Sequence, residues 1–307
     1  NIYHEHSLYF DPLVKSKKDQ ERKKEIIRLT AEQEGMLLKS IDQSGISIVN
    51  LDDLYIADLL PLKSKTVTIS EKDRDADFYI EDTEANESSF LVNFIFLNEK
   101  YQIKIPAPLP KYYAFSIMFS VAVGFSCGLS IRDCMLILER NFTLPPGRFS
   151  VFKGIKNSTI FDSSYNSSLE PARGALELIK EIGKDKRKIG ILGDMRELGS
   201  LSKIQHELLA KEIIRNLNYS ILIGPLMNKY VAPILEKEDF LFEKFETFKS
   251  AREKILESVK KDDLILVKGS QNTLFLERAV EILLLDKKDK EKLCRRGSFW
   301  DKKRREQ

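Results

Sequence analysis

The sequence predicts an α/β fold whose C-terminal half is a doubly wound parallel sheet. From Ser158 onward, short apolar runs alternate with amphipathic stretches. Such alternation predicts parallel strands with helices on both faces. Several of these runs end in small and polar residues, the pattern of a buried strand delivering a loop at its carboxyl end. Pro145-Pro146-Gly147 separates this half from what precedes it and marks a domain boundary. Residues 1–146, 147–285 and 286–307 are expected to be an N-terminal domain, a C-terminal domain and a basic tail.

The elements follow in order. Residues 15–42 are charge-rich, with Ile26, Ile27, Leu29, Met36, Leu37, Leu38 and Ile41 suggesting helices. Residues 45–50 read as a buried strand followed by Asp52-Asp53. Residues 66–70, 77–80, 90–96 and 101–105 are further strands. Pro106, Pro108 and Pro110 then punctuate before an apolar helix around 113–124 and a shorter one at 131–139. Beyond the boundary, strands at 158–161, 189–192, 220–223 and 264–267 alternate with helices at 171–182, 203–216, 248–259 and 273–285.

Composition narrows the function. The 307 residues suffice for roughly two domains. Apolar content of 42% and charged content of 32% are ordinary for a soluble protein. No apolar run approaches the ~20 residues of a membrane span, and no secretory signal is visible. The expected location is cytoplasmic. Cys127, Cys134 and Cys294 are too few and scattered for a disulfide framework or a zinc site. From Asp286 onward, ten Lys/Arg against five Asp/Glu give the tail +5. Such a tail could grip an anionic partner. The plainer expectation is a solvated end, with Leu293, Phe299 and Trp300 available to pin it. Neither a nucleic acid partner nor a membrane span is expected.

Several short stretches could carry chemistry. Lys268-Gly269-Ser270 follows a predicted strand and is expected to open a helix, where backbone N–H groups favour an anion. Ser270 could equally be an N-cap. Residues 162–166 place Asp162, two serines, Tyr165 and Asn166 in one short loop. Arg148 is either an exposed linker residue or a phosphate ligand, since its planar fork bonds phosphate oxygens bidentately. Asp194, Arg196 and Glu197 share another loop, and His206 on the following helix reads as structural. His4 and His6 share one face of a strand, but no third metal ligand accompanies them.

In order and spacing, residues 161–166, 190–199 (Gly-Ile-Leu-Gly-Asp-Met-Arg-Glu-Leu-Gly) and 267–270 resemble the C-terminal domain of the Mur ligases. The resemblance implies a Rossmann-like C-terminal domain preceded by the latter part of an α/β P-loop-type ATPase domain. It implies an ATP-dependent amide ligase of peptidoglycan precursor synthesis, and so of cell-wall biogenesis, cell shape and division. UDP-N-acetylmuramoyl tripeptide and D-alanyl-D-alanine would be its substrates, with ATP and Mg²⁺ as cofactors. By the same resemblance Arg148 and Asp162 meet the nucleotide, and Arg148 acts in catalysis. Tyr165, Asn166, Asp194, Glu197, Lys268 and Ser270 serve substrate binding, and His6 holds the metal.

This chain departs from the family pattern in informative places. Glu34, in Ala31-Glu-Gln-Glu34-Gly35, stands where relatives carry a carbamylated lysine, and is expected to supply that negative charge unmodified. Tyr112, Tyr113 and Ser116 replace asparagines and a histidine near the adenine, and Gln271 replaces an arginine. No Gly-x-x-x-x-Gly-Lys-Ser/Thr cradle occurs in these residues. The chain therefore reads as the back half of an enzyme, expected not to turn over ATP alone. Two rivals stay open: another amino-acid ligase of the superfamily, and a non-catalytic binding module derived from one.

Overall fold

Five strands come first. In a computed structural model describing residues 7–15, 19–270 and 274–305, they form a sheet in simple sequential order. β1 (Ile46–Asn50), β2 (Lys65–Ser70) and β3 (Phe78–Ala85) run parallel. β4 (Phe90–Phe96) and β5 (Glu99–Ile105) continue antiparallel. In β4, Phe90, Val92, Phe94 and Phe96 are buried and alternate with half-buried residues, so one face of the strand points to a core. Leu97 and Asn98 both take positive φ between β4 and β5, as a two-residue hairpin with matching twist requires.

Helices α1 (Ser7–Phe10), α2 (Asp19–Ser40), α3 (Leu54–Ala57), α4 (Tyr113–Ser126) and α5 (Ile131–Asn141) complete this first unit. Every strand and helix expected here from apolar spacing is present. The four-residue α3 was not anticipated; Asp53 caps it by accepting from the N–H groups of Tyr55 and Ile56. Asp52, beside it, accepts from Ser70 Oγ and the Glu71 N–H, tying the ends of β1 and β2 together.

The second unit runs from Thr143 to Arg196 and from Ser200 onward, while Glu197–Gly199 group with the first unit. Its six-stranded sheet has the order β10-β9-β8-β11-β7-β6. These strands are β6 (Ser150–Lys153), β7 (Thr159–Ser163), β8 (Lys188–Gly193), β9 (Tyr219–Ile223), β10 (Phe242–Phe245) and β11 (Leu264–Lys268). All pairs are parallel except β6 with β7. The helices are α6 (Leu169–Ile182), α7 (Ser202–Asn216), α8 (Ala232–Lys237), α9 (Phe248–Ser258), α10 (Glu277–Leu283) and α11 (Ser298–Arg305). Ile265 and Val267 of β11 join a buried cluster with Phe248, Ala251 and Ile255 of α9 and Val280 and Leu283 of α10. Leu264 and Leu266 point the other way; Leu264 lies against Gly183 at the end of α6. The unit is doubly wound, as the alternating pattern predicts.

Two expectations need correction here. The helix expected from residue 273 starts as α10 at Glu277, with Leu276 as its N-cap, and residues 271–273 lie outside the described residues. Leu274 and Leu276 pack over Gly193, and Leu276 over Gly269, which holds residues 274–276 outside the helix. The tail is not a solvated end, because Leu293, Cys294 and Arg295 are buried. Leu293 belongs to the apolar cluster under α9 and α10.

Candidate functional site

β11 lies between β7 and β8, and Lys268 pairs in register with Ser163 on one side and Leu192 on the other. Three loops therefore leave the sheet side by side at the carboxyl ends of these strands. This is the place where open parallel sheets bind ligands.

Two side chains knit the loops together. Lys268, 3% exposed, donates from Nζ to the Asn166 carbonyl at 3.0 Å and to Ser163 Oγ at 3.3 Å. Ser270, equally buried, donates to the Ser167 carbonyl at 3.1 Å and accepts from the Arg196 N–H at 3.0 Å. Its own N–H donates to the Asp194 carbonyl at 3.0 Å. Buried polar groups left unpaired are costly, so these bonds fix the relative heights of all three loops. Lys268 and Ser270 were expected at the substrate; in this structure they lie beneath the loops and hold them. Gly269 permits this arrangement, since a Cβ there would sit 3.3 Å from the Gly193 Cα and 2.6 Å from Leu276 Cδ1.

Asp162 is also internal. It is fully buried, with Oδ1 accepting from the Ser164 N–H and Oδ2 without a hydrogen-bond partner among the described residues. Burial pushes its carboxyl up to about 6. It closes the turn after β7, and the expected ribose contact finds no exposed carboxyl oxygen here. Asp194 accepts from the Met227 N–H at 2.8 Å, so it caps the turn after β9. Burial raises its carboxyl as well. His206, read as structural, is so: Nε2 accepts from the Met195 N–H and Nδ1 lies 2.7 Å from the Ser202 carbonyl. That pairing needs the neutral ring, and burial holds its pKa below the ordinary value.

In the second unit, Arg148 and Arg196 are exposed, and Tyr165 and Asn166 are half-buried. The Arg148 guanidinium sits over the Tyr165 ring at 4.5 Å. Gly147 sets this approach with φ +73°, a value that L side chains rarely adopt. A Cβ at Gly147 would also meet Tyr165 at 3.1 Å and Cys294 Sγ at 3.0 Å. Glu197 lies in the loop after β8 with φ 62°. In the first unit, Glu34 is exposed on α2, and the Tyr112 and Tyr113 rings stack at 4.9 Å where α4 begins. His4, His6 and Gln271 lie outside the described residues. Among the described residues, no group of three His, Cys, Asp or Glu could hold a metal, and no helix is long and apolar enough to cross a membrane.

Residues 147–271, which contain all three loop stems, match the family model for the Mur ligase, glutamate ligase domain. This part of the chain is a Mur ligase C-terminal domain. Members of the Mur ligase family are ATP-dependent amide ligases. The chain is 28% identical over 180 residues to a UDP-N-acetylmuramoyl-tripeptide–D-alanyl-D-alanine ligase of Rickettsia prowazekii (strain Madrid E), covering 57% of this chain and 38% of that protein. It is 25% identical over 248 residues to a UDP-N-acetylmuramoyl-L-alanyl-D-glutamate–2,6-diaminopimelate ligase of Prochlorococcus marinus subsp. pastoris (strain CCMP1986 / NIES-2087 / MED4), covering 74% and 47%. Among solved structures, the MurF ligase of Thermotoga maritima in complex with ADP superposes with a TM-score of 0.69. That match is 22% identical and covers 87% of this chain and 58% of that one. The chain thus spans about half the length of the proteins it matches, or less.

Sequence reasoning missed Glu277 and Arg295, which form a buried ion pair at 2.9 Å beneath the Tyr165 loop. Glu277 opens α10 as any first-turn acid does, and Arg295 sits in a run of basic residues. Neither carries a local signal of pairing.

Proposed function

We propose that this chain is the C-terminal domain and the latter part of the central domain of an ATP-dependent amide ligase of peptidoglycan precursor synthesis. In this reading it joins D-alanyl-D-alanine to a UDP-N-acetylmuramoyl tripeptide. The phosphate cradle comes from sequence outside these 307 residues. The observation that carries the proposal is Arg148 held over Tyr165 beside three converging loop stems, within a domain of the Mur ligase family. The named similarity to a D-alanyl-D-alanine-adding ligase supports the choice of dipeptide.

The γ-phosphoryl group passes to a substrate carboxylate, the dipeptide amine attacks the acyl phosphate, and phosphate leaves. Arg148 is exposed and permanently charged, suited to stabilise phosphoryl charge as it shifts. Tyr165 and Asn166 form the neighbouring surface, with Lys268 and Ser270 as its support. Glu34 is read as a fixed carboxylate on α2. Mg²⁺ would be held by His6, which lies outside the described residues.

The test is phosphate release from ATP by these 307 residues together with the segment that supplies the cradle. Release should require both the UDP-linked tripeptide and D-alanyl-D-alanine, and Arg148→Ala should slow it about a hundredfold or more without lowering thermal stability. Release driven by 2,6-diaminopimelate with a dipeptide acceptor would support the branch of the Prochlorococcus relative instead.

A further inference from the structure

Arg295 lies outside the residues matched by the family model, in the basic segment that follows α10. Its guanidinium is nonetheless almost wholly buried. One nitrogen donates to Glu277 at 2.9 Å and to the Ser164 carbonyl at 3.3 Å. The other donates to the Tyr165 carbonyl at 2.5 Å, and the group lies 5.3 Å from the Tyr165 ring centre. Arg148 shares that same ring, so one tyrosine lies against two guanidinium groups.

The segment is fastened at further points. Arg304 donates to the Arg295 carbonyl at 2.6 Å and to the second Glu277 oxygen at 3.3 Å. Cys294 Sγ is 3.6 Å from Ser164 Oγ. Trp300 stands edge-on to Phe275, at the far end of the loop that follows β11. The segment therefore touches the β7 loop and the β11 loop at once. Arg295 itself takes φ 56°, a strained value for a residue with a side chain, and such strain persists only where surrounding contacts over-determine it.

We propose that Leu293–Arg304 is a strap that holds the Tyr165 loop in the shape that presents Arg148, with Arg295 as the positioning residue and Glu277 as its buried anchor. The inference rests on reading Arg148 as nucleotide-facing. A buried ion pair alone is a poor source of stability, because desolvation offsets the attraction. Arg295 turns that pair to use: its remaining N–H groups reach two consecutive loop carbonyls, which a lysine's single nitrogen cannot match.

Trp300 is the only tryptophan, so its fluorescence reports strap docking directly. In Arg295→Met, its emission should shift to the red, and amide exchange at residues 164–167 should quicken about tenfold or more while β8 and β9 stay protected. In the ligase preparation described above, kcat should fall about tenfold with the KM for ATP changed far less, and Arg295→Lys should recover part of the loss. Unchanged exchange at 164–167 would overturn the strap. Faster exchange with an unaltered kcat would overturn the positioning role. Should Arg295→Met not fold, Arg295→Lys carries the same readings at smaller amplitude. No ATP turnover by the unaltered preparation would remove the ligase reading and the positioning role with it, and exchange would still decide the strap.

Discussion

Asp162 and His206 are buried titratable groups whose pH responses oppose each other. The Asp162 carboxyl sits at about 6 when folded against an ordinary 3.8, raised first by burial. Its contribution is fully present below about 3.8 and is lost as pH rises through 6. Asp162→Asn should therefore raise stability at pH 7.5 by about 1–3 kcal/mol, and more weakly at pH 4. His206 is depressed below its ordinary 6.5 by burial. Its contribution is fully present above 6.5 and is lost as pH falls through the folded value. His206→Gln should flatten that acid limb. Denaturant melts of both variants from pH 4 to 8 separate the two slopes; a pH-independent difference between Asp162→Asn and the parent would count against the buried carboxylate. At this scale the burial of Lys268 and Ser270 was not legible. Spacing places Lys268 and Ser270 at a strand end but is silent on whether a side chain points outward or under its neighbours.

At the level of elements, the strands with long apolar runs were legible and the short edges were not. β8 and β11 announce themselves because both faces are covered. β6 and β10 have four residues each and mostly half-buried or exposed side chains, so neither run nor alternation marks them. Residues 274–276 were expected in the helix because apolar residues suit one, yet they precede α10. Their burial against Gly193 and Gly269 is a tertiary effect that overrides propensity. Since Ser270 bonds all three loops, Ser270→Ala should cost about 1–3 kcal/mol in urea denaturation. Lys268→Met should cost at least as much and speed amide exchange at residues 163–167. A Lys268→Met protein with parental stability and exchange would mean that the lysine faces substrate rather than supporting the loop.

For the molecule as a whole, the docked tail changes what proteolysis should yield. An exposed basic end would be trimmed past Asp286. With Leu293 in the apolar cluster and Arg295 on Glu277, limited trypsin treatment should instead leave a fragment from near Thr143 that retains Trp300. Mass spectrometry of the resistant product decides this, and a core ending near Leu285 would contradict the docked arrangement. Division into two units was legible from Pro145-Pro146-Gly147 only as an expectation. Which loops belong to which unit was not, since that depends on contacts distant in sequence.

The central place of β11 has a consequence for synthesis. β7 and β8 pair with β11 on either side, yet Lys268 follows its partner Ser163 by 105 residues. On a ribosome, β7 leaves the exit tunnel long before the strand that joins it to β8 has been made. The middle of the sheet closes last, and until then the apolar flanks of both neighbours stand open to chaperones or to pairing with other chains. A chain that stops short of Leu264 would end as two unjoined half-sheets.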